Sequence, residues 1–302
     1  MSWQRGVLNL ILRLTEKRYL ARVVDPDALR ARFHRRARLF FPPPRGVQVT
    51  AVPGGLWLGG ASAASGAGPV ILYFHGGAFV FGAPETHKGL AARLAQLAGL
   101  PVLMPVYRLA PEHPFPAALE DARVAYETLL ARGVAPGQIV LGGDSAGGGL
   151  ALALLGDLCA RGADRPAGCF AFSPLSDLTF SGASLQANVA CDVMLPAERT
   201  QDMAQMYLQG ADPRDSRASP LFAGFAGAGP VWLTVGRTEI MLDDTRRMAA
   251  HLRGQGVTVA EVIAGDLPHV WPFFWRYLPE GEATLRALAG WIRQRVAPSA
   301  GS

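Results

Sequence analysis

Gln138-Ile139-Val140-Leu141-Gly142-Gly143-Asp144-Ser145-Ala146-Gly147-Gly148-Gly149 is the stretch whose reading decides the fold. A short run of branched apolar residues, the pattern of a buried strand, ends in glycines. Leu150-Ala151-Leu152-Ala153-Leu154-Leu155 then continues in strong helix formers. Between them Ser145 has a glycine two residues before it and another two after, Gly143 and Gly147. The pattern predicts a strand, a sharp turn with the serine at its apex, and a buried helix. Glycines at those two places leave room for so tight a turn. The turn lifts the hydroxyl off the sheet and sets the Ala146 N–H beside it at a helix N-terminus, where developing negative charge is favoured. With 35 glycines in the chain the pentapeptide alone could arise by composition. The strand before it and the helix after it argue for a nucleophile.

A second stretch completes the first. Val70-Ile71-Leu72-Tyr73-Phe74 reads as a buried strand, and His75-Gly76-Gly77-Ala78-Phe79 follows it directly. Adjacent glycines let the backbone turn its N–H groups outward, as the oxyanion of a tetrahedral intermediate requires. Gly76, Gly77 and Ala146 are the expected donors. His75 is read as a structural histidine that hydrogen-bonds this loop.

The base should be a histidine in a loop after a late strand. Of six histidines, His34 and His251 fall in helices, His87 at a helix start and His113 in a proline loop. His269 follows a strand expected over 257–263 and has the right context. The orienting acid should lie between serine and histidine, after the strand 231–235. Glu239 falls in that loop. Asp243 and Asp244 read as acids of a helix's first turn, where capping alone explains them. Asp243 remains the alternative acid.

At 302 residues, half of them apolar, the chain can bury one large α/β core with an insertion. Its formal charge of +5 comes from arginine, with lysine only at Lys17 and Lys88. The arginines are scattered along expected helices, which argues against a nucleic-acid footprint. Arg30, Arg32, Arg35, Arg36 and Arg38 crowd one helix, read by default as a solvated face. Cys159, Cys169 and Cys191 have neither metal-ligand nor disulfide spacing and are expected to be buried, reduced packing residues of a cytoplasmic protein. Arg13 interrupts the first apolar stretch and no small-residue cleavage site follows, so no signal peptide is expected. Trp3, Val7, Leu10, Ile11 and Leu14 instead mark one face of a helix. No run approaches the length of a membrane span.

Strands alternate with helices from residue 70 onward, which means a mostly parallel sheet covered on both faces. Residues 47–52 and 56–58 read as an antiparallel pair, and 61–68 as a small-residue loop. Four segments result: an N-terminal helical cap segment (1–45), a first part of the core (46–180), a cap or lid insertion (181–228) and a second part of the core (229–302). Met194, Met203, Met206 and Tyr207 give the insertion an adaptable apolar side. Phe79, Phe81, Trp271 and Phe274 are bulky candidates for the walls of a substrate pocket.

With these residues in hand, the chain resembles the hormone-sensitive-lipase-like esterases of the α/β-hydrolase fold. The specific parts are His75-Gly76-Gly77-Ala78, Gly143-Asp144-Ser145-Ala146-Gly147 and Tyr107-Arg108-Leu109-Ala110-Pro111-Glu112-His113-Pro114-Phe115-Pro116-Ala117. Ser173-Pro174-Leu175-Ser176-Asp177-Leu178 is similar to another family segment. The resemblance implies an eight-stranded sheet, a cap from the N-terminus plus the insertion, and a serine carboxylesterase without metal or cofactor. It implies short- or medium-chain ester substrates and a possible homodimer. Many relatives carry aspartate where this chain has Glu239. Two other readings stay open: a ligand-binding member of the fold, against which His269 speaks, and an amidase or peptidase on the same triad.

Overall fold

The computed structural model describes residues 2–59 and 68–296; the loop expected over 61–68 lies almost wholly outside them. Eight strands form one sheet: β1 (Val49–Val52), β2 (Gly55–Leu58), β3 (Val70–Phe74), β4 (Val102–Pro105), β5 (Ile139–Asp144), β6 (Gly168–Phe172), β7 (Val231–Gly236) and β8 (Val259–Ala264). They lie in the order β1-β2-β4-β3-β5-β6-β7-β8. β1 pairs antiparallel with β2, and β2 antiparallel with β4; every later pairing is parallel. The helices are α1 (Trp3–Leu12), α2 (Arg18–Arg22), α3 (Pro26–Phe40), α4 (Pro84–Ala98), α5 (Ala117–Ala131), α6 (Ala146–Ala160), α7 (Ser184–Ala187), α8 (Thr200–Leu208), α9 (Leu242–Gly254) and α10 (Pro279–Val296).

The period of two along each strand sorts the apolar residues into two layers. Val70, Leu72 and Phe74 of β3 join one core, Ile71 and Tyr73 the other; Ile139 and Leu141 of β5 likewise oppose Val140. α5, α6 and α9 cover the first layer, and α4 and α10 cover the second. α6 is buried along almost its whole length, which suits its run of glycine, alanine and leucine.

Asp25 opens α3 by accepting the Asp27 N–H at 3.1 Å, with Pro26 in the first turn. The N-terminal helices lean on the 181–228 stretch. Lys17 donates to the carbonyls of Val189 (2.6 Å) and Asp192 (2.7 Å), and Arg13 to that of Cys191.

Two expectations about surfaces need correction, and a third surface is now defined. The arginine-rich helix is not simply solvated. α3 puts Leu29, Arg32, Phe33, Arg36 and Ala37 on its inner side by helical spacing, and only Arg35 and Arg38 of its five arginines are exposed. Arg30 reaches the carbonyls of Val80 and Ala110 and both carboxylate oxygens of Glu112. The cysteines differ from one another: Cys169 is buried in β6, Cys159 is half-buried, and Cys191 is exposed on the stretch that Arg13 touches. The apolar face of α1 stays open, with Trp3 76% exposed and Leu12 the residue that enters the core. No helix among the described residues is long and apolar enough to cross a membrane.

Candidate active site

Ser145 stands between β5 and α6 with φ 53° and ψ −122°. A residue with a β-carbon held there stores on the order of 1–3 kcal/mol of strain, which its surroundings must hold in place. The Ser145 N–H donates to the Phe172 carbonyl (2.8 Å), and its own carbonyl accepts from Gly149 and Leu175, both at 3.0 Å. A β-carbon on Gly143 would stand 2.3 Å from the Gly147 carbonyl oxygen; one on Gly147 would stand 2.2 Å from that of Phe74. Both glycines are therefore required by close approach of backbone to backbone.

The loop after β3 wraps over this turn and corrects one donor. The Gly76 N–H is already engaged, donating to Asp144 Oδ1 at 3.1 Å. The same oxygen accepts from the Tyr73 hydroxyl at 2.6 Å, and Oδ2 lies 3.3 Å from His87 Nε2. Burial pushes the Asp144 carboxyl up, but His87 and Tyr73 outweigh it and hold it below its ordinary value. Gly76 is thus unavailable to an oxyanion. Among the described residues no hydrogen bond engages the N–H groups of Gly77, Ala78 or Ala146. Gly77 has φ 127°, and a β-carbon on it would strike the Phe81 carbonyl oxygen at 2.0 Å. His75 supports the loop as expected. It bonds the Gly76 carbonyl (2.9 Å), stacks on Tyr107 and takes the Tyr107 hydroxyl on its own carbonyl at 2.8 Å. Burial, helped by His87, drives its pKa down to about 3, so it stays neutral.

Glu239 follows β7 and His269 follows β8, so both lie at the carboxyl ends of strands near Ser145, where open α/β sheets place their sites. His269 Nδ1 is 2.6 Å from Glu239 Oε2. Glu239 Oε1 accepts from Gly236 N–H (2.5 Å) and the Ser173 hydroxyl (2.9 Å), and that hydroxyl also takes the Val270 N–H at 3.2 Å. Burial pulls His269 down, but the hydrogen bond and charge of Glu239 carry it above an ordinary imidazole. Its Nε2 is buried without a partner among the described residues. Asp243 lies elsewhere: its carboxylate accepts the Ser184 N–H at 2.8 Å and so holds α7. Among the described residues no group of three His, Cys, Asp or Glu is arranged to hold a metal ion.

Ser145 and His269 line one crevice with Phe79, Phe81, Met194, Met203, Tyr207 and Phe274. Phe79 and Tyr207 stack at 4.0 Å between centroids. Trp271, expected as a pocket wall, does not reach the crevice. It starts a tight 3-10 turn, Trp271–Phe274, from which Phe273 and Phe274 line the crevice while Trp271 is fully buried in the layer under α4 and α10. There its Nε1 donates to Thr284 Oγ1 at 3.0 Å. Sequence reasoning missed four buried polar supports: Ser173, Asp144, His87 and Asp192. Asp192 accepts the Ile240 N–H (2.9 Å) beside Glu239 and the Met194 and Leu195 N–H groups of the insertion. Asp144 and Ser173 stood inside quoted motifs, which was the only signal; nothing local marked His87 or Asp192. Phe33 and Phe41 of the N-terminal segment also line the crevice.

Known proteins share this fold over nearly the whole chain. Residues 71–273 match the model of a family described by its alpha/beta hydrolase fold. An acetyl-hydrolase of Streptomyces hygroscopicus is 40% identical over 228 residues, 75% of this chain and 76% of that one. An esterase of Acinetobacter venetianus is 32% identical over 95% of each chain. Among solved structures, the esterase EstE5 soaked with p-nitrophenyl butyrate superposes with a TM-score of 0.92 at 33% identity, over 99% of this chain and 100% of that one. An esterase from the bacterial hormone-sensitive lipase family gives 0.90 at 34%, over 98% and 99%. This chain belongs to the α/β-hydrolase fold family, in its bacterial hormone-sensitive-lipase branch.

Proposed function

We propose that the protein is a serine carboxylesterase acting on short- to medium-chain esters through an acyl-enzyme. The observation that carries this is the buried, unpartnered Nε2 of His269 in the crevice of Ser145, with Nδ1 held by Glu239. Nε2 takes the Ser145 proton as Oγ attacks the ester carbonyl, and the Glu239 carboxylate compensates the imidazolium that forms. The N–H groups of Gly77, Ala78 and Ala146 receive the oxyanion, each donor being worth roughly a hundredfold or more in rate. The alcohol leaves with the proton from His269, and a water deprotonated by the same nitrogen releases the acid. Residues 1–45 and 181–228 act as a cap that bounds the crevice, which supports a preference for acyl chains of about eight carbons or fewer. The names of the relatives, an acetyl-hydrolase and an esterase, agree with this class.

The test is turnover of aryl esters of increasing acyl length beside matched amides, with labelling by a serine-directed phosphonate. Esters should react, amides should not, and the label should sit on Ser145 and be absent from Ser145→Ala. Wild-type turnover by Ser145→Ala would sink the assignment.

A further inference from the structure

The crevice is apolar near Ser145, but its helical end is not. Arg32 and Arg36 of α3, Arg199 at the start of α8, and Glu16 all line it. Arg32 and Arg36 share a single carboxylate oxygen, Oε1 of Glu16, with Arg32 at 2.9 Å. Arg199 pairs with Asp202, three residues on, and its other terminal nitrogen reaches the Val23 carbonyl at 3.4 Å. The Nε atoms of Arg32 and Arg199 are enclosed with no partner among the described residues. Three guanidinium groups thus line the crevice with two carboxylates shared among them; Arg32 also lies over the Tyr19 ring, but the two enclosed Nε–H donors have no hydrogen-bond acceptor among the described residues. A buried charged donor without an acceptor is costly and calls for an explanation. Guanidinium forks match carboxylate and phosphate oxygens in geometry as well as charge.

We propose that Arg32, Arg36 and Arg199 form an anion subsite, so that the ester this protein takes carries a carboxylate or phosphate at the end of one arm. This rests on the esterase reading and specifies its substrate class. The apolar walls between Ser145 and the arginines accept the spacer, and the arginines accept the charge. Glu16 keeps the guanidinium groups oriented in the free protein and competes with the incoming anion.

The test compares kcat/KM across two series of increasing spacer length. One holds 4-nitrophenyl monoesters of α,ω-dicarboxylic acids, each beside its methyl-terminated neutral counterpart. The other holds butyrate esters of ω-hydroxy acids and of ω-hydroxyalkyl phosphates, each beside the neutral butyrate of the same length. The anionic-to-neutral ratio should peak at one spacer length at or above about 1, and the series that peaks identifies the arm and the anion. Arg32→Gln and Arg199→Gln should each lower that peak ratio about tenfold, and Glu16→Gln should raise it several-fold. These opposite signs separate a subsite from a mere strut: if the ion pairs only pinned helices together, Glu16→Gln and Arg32→Gln would move the ratio alike. Ratios below about a hundredth at every length, the cost of an anion in an apolar crevice, overturn the subsite while leaving the esterase reading intact. Inertness of every ester, neutral and anionic alike, would overturn the esterase reading itself.

Discussion

On the strand side of the crevice the nucleophile rests on backbone packed against backbone; on the helical side the wall is held by long side chains. Around Ser145, the carbonyls of Phe74, His75 and Gly147 stand where β-carbons on Gly143 and Gly147 would have to go. The N-terminal helices are instead held by Arg30 on Glu112, Arg32 and Arg36 on Glu16, and Lys17 on carbonyls of the insertion. Backbone packed on backbone has no rotamers to exchange, so it fixes the reacting groups within tenths of an ångström. Partly exposed ion pairs are each worth little and can re-form with a shifted partner. The contrast separates a part that must not move from a part that can adapt to what it covers.

The largest effect expected of a test of this contrast comes from Gly147→Ala. Its β-carbon would press on two carbonyl oxygens, so the fold should lose about 3 kcal/mol or more, read as a fall in melting temperature and in soluble yield. A fully stable, active Gly147→Ala would mean that the turn has slack.

Next is Glu239→Gln, which should fold but lose about three to four orders of magnitude in kcat, because the imidazolium loses its compensating charge. Asp243→Asn should keep its turnover and lose on the order of 1 kcal/mol through its bond to Ser184. The reverse pattern would move the acid four residues along the chain.

The pH profile sharpens the same point. Only neutral imidazole can act as base, and Glu239 raises His269, so kcat/KM should climb with pH through a midpoint above about 6.5. In Glu239→Gln the strongest pull upward is gone and burial faces only the weaker charges of Asp192 and Asp144, so the residual activity should have its midpoint shifted down. An unchanged midpoint would detach the two residues.

Smallest is Arg30→Ala on the helical side. Half-exposed pairs of this kind contribute about 0.2–1 kcal/mol, so melting should barely change. Acyl-length preference should broaden, since α3 carries Phe33 of the crevice wall. A large drop in melting temperature would show the helical side to be as rigid as the strand side.

The legible parts of this chain were those where spacing along the sequence is itself the physics. Gly143 and Gly147 around Ser145 fix a turn, and alternating strands and helices fix a parallel sheet. Glu239 was reached by its place after a strand, which is also where the carboxylate meets His269. Where direction decides, the sequence was silent. Gly76 and Gly77 look alike, yet one N–H points to Asp144 and the other does not. Trp271 and Phe274 are both bulky, yet only Phe274 reaches the crevice, while Trp271 stays buried in the layer that both share. The arginines of α3 read as a solvated set because their partners lie outside the helix, Glu16 in the segment before it and Glu112 far along the chain.

The uneven cysteines have a practical consequence. Cys169 is sealed in the sheet, and burial pushes the half-buried Cys159 thiol up, which keeps it protonated and slow. Cys191 alone is exposed, on the insertion and beside the helix that Arg13 and Lys17 anchor. A maleimide dye would therefore go first to Cys191 in the natural sequence. Its emission would report any shift of residues 181–228 against the N-terminal helices during turnover without an engineered label.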